Sequence, residues 1–242
     1  MINIGTYAIQ EYYFIKKFHS KRNNVWLIKD KENNKKMVYK KFSSIKTFRN
    51  ELDIHYYLFN LGCNVPKIYQ IGLDYIIMEY IHSITLCDYI LKCENQNKRI
   101  DMKIILSFIK LLEEIYTSGR FKNSKMILHD TNLRNFLVCG EQVYIIDFEE
   151  TIAEKNILTD VTGFIAFFIT YNPCFSQWKL EELQRLINFL DRRYDKIYYV
   201  SIKIELVKWI EFLGKRRNIY YNEMEGYNKF LTLLDNWEFN IK

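Results

Sequence analysis

The hydrophobic period of this chain changes once, and that change limits what it can fold into. Up to about residue 80, apolar residues come in short runs rich in β-branched and aromatic types: 25–28 (VWLI), 37–42 (MVYKKF), 67–71 (KIYQI) and 75–80 (YIIMEY). DKENNKK and GLD, between the first and the second pair of runs, have turn composition, so the runs predict strands joined by tight connections. Between 42 and 67 lies SSIKTFRNELDIHYYLFN, where Ile45, Phe48, Leu52, Tyr56 and Phe59 recur at three- and four-residue spacing. That spacing predicts an amphipathic helix inserted in an antiparallel sheet. Beyond residue 82 the helical period dominates: 101–119, then TDVTGFIAFFITY, then three further helical patterns, interrupted by two short strands, FLVC and VYIIDF. The expected fold is α+β and bilobal: residues 1–80 form a small antiparallel-sheet lobe with one helix, and 81–242 a larger, mainly helical lobe.

Only 8 Gly and 2 Pro accompany 19 Tyr and 17 Phe, which predicts a packed chain with few flexible linkers and excludes disorder. The formal charge of +6 arises from 35 basic and 29 acidic residues scattered together, the pattern of a solvated surface rather than a nucleic-acid site. The five cysteines are odd in number and form no CxxC pair, which favours reduced thiols over a disulfide framework or a zinc site. MINIGTYAIQEYYF lacks the layout of a signal peptide, and the run VTGFIAFFITY is too short to span a bilayer. A cytoplasmic protein without a transmembrane segment is expected, with no protein partner indicated.

Residues 127–150, ILHDTNLRNFLVCGEQVYIIDFEE, set Asp130, Asn135 and Asp147 into apolar surroundings. Buried carboxylates without partners are costly, so such groups are expected to bind something. Phosphoryl transfer needs one carboxylate to orient or deprotonate an attacking hydroxyl, and oxygen ligands to hold Mg2+ against nucleotide phosphates. A D-x-x-x-x-N loop followed by the Asp of a D-F turn has that spacing.

On these residues the chain resembles the protein-kinase-like superfamily, and within it the branch of aminoglycoside phosphotransferases, choline kinases and lipopolysaccharide-core heptose kinases. LHDTNLRNFLV resembles the catalytic loop and VYIIDFEE the metal-binding strand and turn, with Glu149 at a place that is commonly acidic in that branch. The resemblance implies ATP and Mg2+ as cofactors, Asp130 as the catalytic base, and Asn135 with Asp147 as metal ligands. Lys40, on one strand face with Val38 and Phe42, is the implied phosphate-pairing lysine, and Glu51 on the following helix its ion-pair partner. IIMEYI resembles the hinge, where backbone groups near Glu79 and Ile81 would meet adenine.

Thr85 with Asp88 reads as a helix cap. Asp160 is either a brace for the catalytic loop or the N-cap of the next helix. The aromatic segments 171–178 and 194–199 are either core or platforms for sugar rings.

Departures from the family pattern are informative. Residues 16–28 contain no glycine, so Ser20 and Asn24 would meet the phosphate oxygens instead. Leu128 stands where a structural His is usual, with His129 beside Asp130. Asn132 replaces the lysine of serine/threonine kinases, and Arg134 is the nearest substitute for its charge. No A-P-E segment follows Asp147, so an activation loop regulated by phosphorylation is not expected. The leading expectation is an ATP- and Mg2+-dependent phosphotransferase acting on a hydroxyl of a small molecule, sugar or glycan. The alternatives are a protein Ser/Thr/Tyr kinase and a non-catalytic nucleotide-binding scaffold.

Overall fold

The computed structural model describes residues 11–117, 126–127, 130–148, 152–153, 157–191 and 199–239. The expectations placed on Leu128, His129, Glu149 and residues 194–198 lie outside them. Two compact units are present: residues 1–83 with 144–149, and residues 84–143 with 150–242.

The first unit is built on an antiparallel sheet of β1 (Tyr12–Phe18), β2 (Asn24–Asp30), β3 (Lys36–Lys41), β4 (Ile68–Ile71) and β5 (Tyr75–Glu79), in the order β1-β2-β3-β5-β4. The β2–β3 turn forms because Asp30 Oδ1 accepts the amides of Glu32 and Asn33 while Asn34 takes a left-handed φ of 61°. β1 was not expected. YYFIKKF leaves most of its residues exposed and carries an irregularity between Phe14 and Lys16, so it shows no alternation to read. One sheet face packs Ile28, Met37, Tyr39, Tyr75 and Ile77 together. On the other, Phe42, Ile76 and Met78 pack with Val38 against Phe48 and Leu52 of helix α1 (Ile45–Asn60).

The buried face of α1 corrects the expectation. Its buried residues are Phe48, Glu51, Ile54, His55 and Leu58, whereas Ile45, Tyr56 and Phe59 are 49%, 43% and 45% exposed. The helix is turned toward the side that carries Glu51. Glu51, the residue that the resemblance pairs with Lys40, is on this face, where the buried ammonium of Lys40 requires an anion opposite it.

The second unit is mainly helical: α2 (Leu86–Asn95), α3 (Met102–Thr117), α4 (Ile157–Thr170), α5 (Gln177–Asp191), α6 (Tyr199–Arg217) and α7 (Glu225–Phe239). Strand β6 (Ile84–Thr85) pairs with β8 (Phe136–Cys139), which lies next to β9 (Gln142–Ile145); β7 (Met126–Ile127) pairs with β10 (Ile152–Ala153). Thr85 caps α2, its Oγ1 accepting the Asp88 amide at 3.0 Å and donating to Asp88 Oδ2 at 2.7 Å. Phe108 of α3 stacks on Phe164 of α4 at 4.5 Å and meets Phe136 edge-on at 4.9 Å, which fixes the strand following the loop at 130–135.

Asp160 sits in the first turn of α4, inside the helix rather than at its N-cap, fully buried and accepting a hydrogen bond from Tyr116 Oη of α3. Of the segment 171–178, Phe175 alone is buried, while Tyr171 and Trp178 are half-buried. Phe175 is buried among Tyr221, Tyr227 and Phe230, and Trp178 Nε1 donates to Lys98 O. Buried Lys179 fastens this segment by donating to Tyr171 O at 2.6 Å and Pro173 O at 2.8 Å, with Glu94 Oε2 at 3.4 Å. Burial pushes the Lys179 ammonium down from its ordinary range, and Glu94 opposes that shift. Among the described residues no helix is long and apolar enough to cross a membrane.

Candidate active site

Lys40 is 4% exposed on the α1 face of β3, while its neighbour Lys41 points outward to Asp74. Strand alternation alone produces this difference. The Lys40 Nζ donates to both oxygens of Glu51 at 2.7 Å and to Asp147 Oδ1 at 3.3 Å, and it lies 5.1 Å from the centre of the Phe42 ring. Glu51 is 1% exposed, so this is a desolvated pair whose lone charges are fully matched. Asp147 reaches the first unit because the Ile145 amide donates to Asn64 O at 3.0 Å and buried Phe148 meets the His55 ring edge-on at 5.4 Å.

His55 was not singled out from the sequence. It lies one helical turn beyond Glu51, fully buried, with Nε2 2.6 Å from Pro66 O. Burial lowers its pKa and the charge of Lys40 adds to that, against the Pro66 carbonyl, which favours the protonated ring. A glutamate–histidine pair at i and i+4 was the available signal.

The glycine-free turn between β1 and β2 is held by side chains. Ser20 Oγ accepts the Asn23 amide at 3.2 Å, and buried Asn23 accepts the Ser43 amide at 3.2 Å through Oδ1. Ser20 and Asn24 are both exposed on this turn. At the expected hinge, the Glu79 amide donates to Lys67 O at 2.8 Å and Glu79 Oε2 accepts the Lys67 amide at 3.2 Å. Ile81 is buried and its carbonyl accepts from Ser83 Oγ at 3.3 Å.

In the second unit, residues 130–135 form one compact loop ending in a single 3-10 turn, Leu133–Asn135. Asp130 Oδ1 accepts the Asn132 amide at 3.2 Å, and Asn135 Nδ2 donates to Asp130 O at 3.3 Å. The structure therefore brings Asp130 and Asn135 together. Asn132 caps the 3-10 turn, its Oδ1 accepting the Arg134 amide at 3.0 Å and the Tyr171 hydroxyl at 2.7 Å. It is thus a structural residue at the place where a lysine was compared with it. Tyr171 is pushed up to about 12 by burial first, with Cys87 and Asp130 adding and Arg134 and Arg217 opposing, so it remains a donor at neutral pH. Thr131 packs fully buried against Gly163 of α4.

Within the second unit Asn135 donates through Nδ2, and within the first unit Asp147 accepts the Lys40 ammonium through Oδ1; amide and carboxylate oxygens are of the kind a hard divalent cation takes. Among the described residues there is no cluster of three or more His, Cys, Asp or Glu that would form a metal site on its own.

A family model for the RIO domain matches residues 4–170. Among solved structures, the chain is similar to the kinase PK-1 of Cydia pomonella granulovirus, with 22% identity and a TM-score of 0.49. That similarity covers 63% of this chain and 58% of the viral one. No curated protein matches it. The protein-kinase-like fold expected from the catalytic loop and the lysine strand holds, whereas the aminoglycoside phosphotransferase branch is not the family matched. The match runs over more than half of the sequence, and the chain belongs to the RIO domain family of protein-kinase-like atypical kinases.

Proposed function

We propose that this chain is an ATP- and Mg2+-dependent protein kinase that phosphorylates a side-chain hydroxyl. The observation that carries the reading is the Lys40 ammonium, buried in a sheet yet held by Glu51 at 2.7 Å and Asp147 at 3.3 Å. A buried ion pair adds little to stability compared with apolar residues of the same volume, so its presence speaks for a binding role.

In this reading Lys40 pairs with the nucleotide phosphates and Glu51 keeps its ammonium in place. Asn135 and Asp147 are the metal ligands, supplying oxygens of the kind Mg2+ takes. The metal supplies neutralisation of the charge on the transferred phosphoryl group. Asp130 orients the acceptor hydroxyl and accepts its proton. Main-chain groups at Glu79 and Ile81 hold adenine, and exposed Ser20 and Asn24 sit over the phosphates.

A small-molecule, sugar or glycan acceptor was the leading expectation. The family match gives it no support and favours the protein-kinase alternative.

The test is transfer of labelled γ-phosphate to casein, to myelin basic protein and to the chain itself, beside hexoses, aminoglycosides and amino alcohols. Label on protein, lost in Asp130→Asn, is the expected result. Label confined to small acceptors would reject the protein-kinase reading, and nucleotide binding without any transfer would point to a scaffold.

A further inference from the structure

We propose that Arg134 and Arg217 form an anion subsite beside the catalytic loop, and that it binds an acidic side chain of the protein acceptor near the hydroxyl to be phosphorylated. This rests on the kinase reading above and names the kind of peptide that would be accepted.

Arg134 lies in the loop itself, exposed, with its guanidinium carbon 5.8 Å from the centre of the Tyr171 ring. Arg217, in the last turn of α6, has its guanidinium carbon 5.3 Å from the same ring centre. Two guanidinium groups thus share one aromatic ring. Neither meets a carboxylate within salt-bridge distance among the described residues, whereas Arg99 and Arg185 of the same unit both close on Glu182, at 3.0 and 2.6 Å. Among the described residues the Arg217 bonds use Nη1 and go to neutral oxygens: Thr170 O at 3.0 Å, Thr170 Oγ1 at 3.0 Å and Tyr221 Oη at 2.8 Å. Arg134 rests against the Cys87 thiol; Asp88 acts on it only electrostatically, and the Asp88 carboxylate already accepts from Thr85 Oγ1.

Like charges gathered around one ring repel, and a bound anion relieves that cost. A guanidinium held by stacking presents a planar fork that a carboxylate meets with two hydrogen bonds, and little side-chain freedom remains to be lost. The position matters as much as the charge. Tyr171 donates to Asn132, two residues from Asp130, so the ring carrying both arginines is tied to the loop carrying the proposed base. The nucleotide phosphates already have a cation in Lys40, which leaves this pair for the acceptor. A peptide carries its carboxylates at fixed reach from its hydroxyl, as such a subsite requires.

The test uses the full chain with ADP and Mg2+, and two fluorescein-labelled peptides, one serine among glutamates and one serine among lysines, read by anisotropy. The glutamate peptide is expected to bind at least about tenfold tighter, with Arg134→Ala and Arg217→Gln each weakening it by about fivefold or more. Lys208→Ala/Lys229→Ala removes two positive charges elsewhere and should leave the preference in place. Arg134 is exposed, so its variant reports even if Arg217→Gln disturbs the α6 terminus. Thermal shift with ATP is read in parallel: its absence in the wild-type protein sinks the kinase reading itself. A normal ATP shift with no peptide preference overturns the subsite alone. So does a preference that survives Arg134→Ala or falls equally in the lysine variant. Competition by glucose 6-phosphate as strong as by the glutamate peptide would overturn the assignment to a peptide.

Discussion

Thr131 and Gly163 occupy one space: a β-carbon on Gly163 would lie 2.5 Å from Thr131 Oγ1 and 3.1 Å from the Trp209 ring. The residue after Asp130 therefore rests on bare helix backbone, and α4 acts as the floor of the loop at 130–135.

Gly163→Ala should for that reason lower stability. In an open helix the change gains about 1 kcal/mol. Here the clash with Thr131 and Trp209 costs about 1–3 kcal/mol as overpacking. Urea unfolding is expected to show a net loss together with a fall in kcat; a raised midpoint would mean that the loop moves aside freely.

Thr131→Val should be neutral or stabilising. The Thr131 hydroxyl is fully buried and has no hydrogen-bond partner among the described residues. An unmet buried hydroxyl costs about 1–3 kcal/mol, and valine has the same shape without it. A loss of more than about 1 kcal/mol in chemical denaturation would reveal a partner for that oxygen.

Glu51→Ala leaves Lys40 buried with Asp147 still 3.3 Å from its ammonium. Breaking a buried pair costs about 3–5 kcal/mol, and the contact with Asp147 should keep this case toward the lower end. The double variant Lys40→Met/Glu51→Leu is expected to recover most of the loss while abolishing transfer. A denaturation cycle decides the matter, since a double variant as unstable as Glu51→Ala would contradict the account.

Stability should also fall in mild acid through His55. Its folded pKa lies below the ordinary 6.5, chiefly by burial. The unfolded chain then binds the proton more readily than the native one, so stability rises with pH across this window. The contribution is complete above about 6.5 and is lost as pH falls below that toward the folded value. Midpoints in urea at pH 8 and pH 5.5 should differ more for wild type than for His55→Gln, and equal differences would remove His55 as the cause.

Much of the local geometry at 130–135 and around Lys40 was readable because its signals are local. The spacing of Asp130 and Asn135 and the alternation that turns Lys40 inward need only the nearby chain. The turn of α1 was readable only in part: the resemblance paired Glu51 with Lys40, but an apolar period counts Ile45, Tyr56 and Phe59 as buried and gives no reason for His55 to be so. β1 escaped since an edge strand with five exposed residues in sequence has no alternation. The roles of Asn132 and Tyr171 escaped for another reason: their hydrogen bond spans 39 residues, a separation no local pattern records.

The return of residues 144–149 to the first unit bears on the order in which this chain acquires its structure. Asp147 follows Lys40 by 107 positions. A ribosome therefore releases the whole five-stranded sheet and its helix long before the last carboxylate of the lysine cluster exists. Domains fold as units as they emerge, and this one must stay open to a late-arriving strip of its own sequence. A gene fragment ending at residue 83 would encode an unfinished object, and a split version of the protein would need residues 144–149 supplied as a peptide to close it.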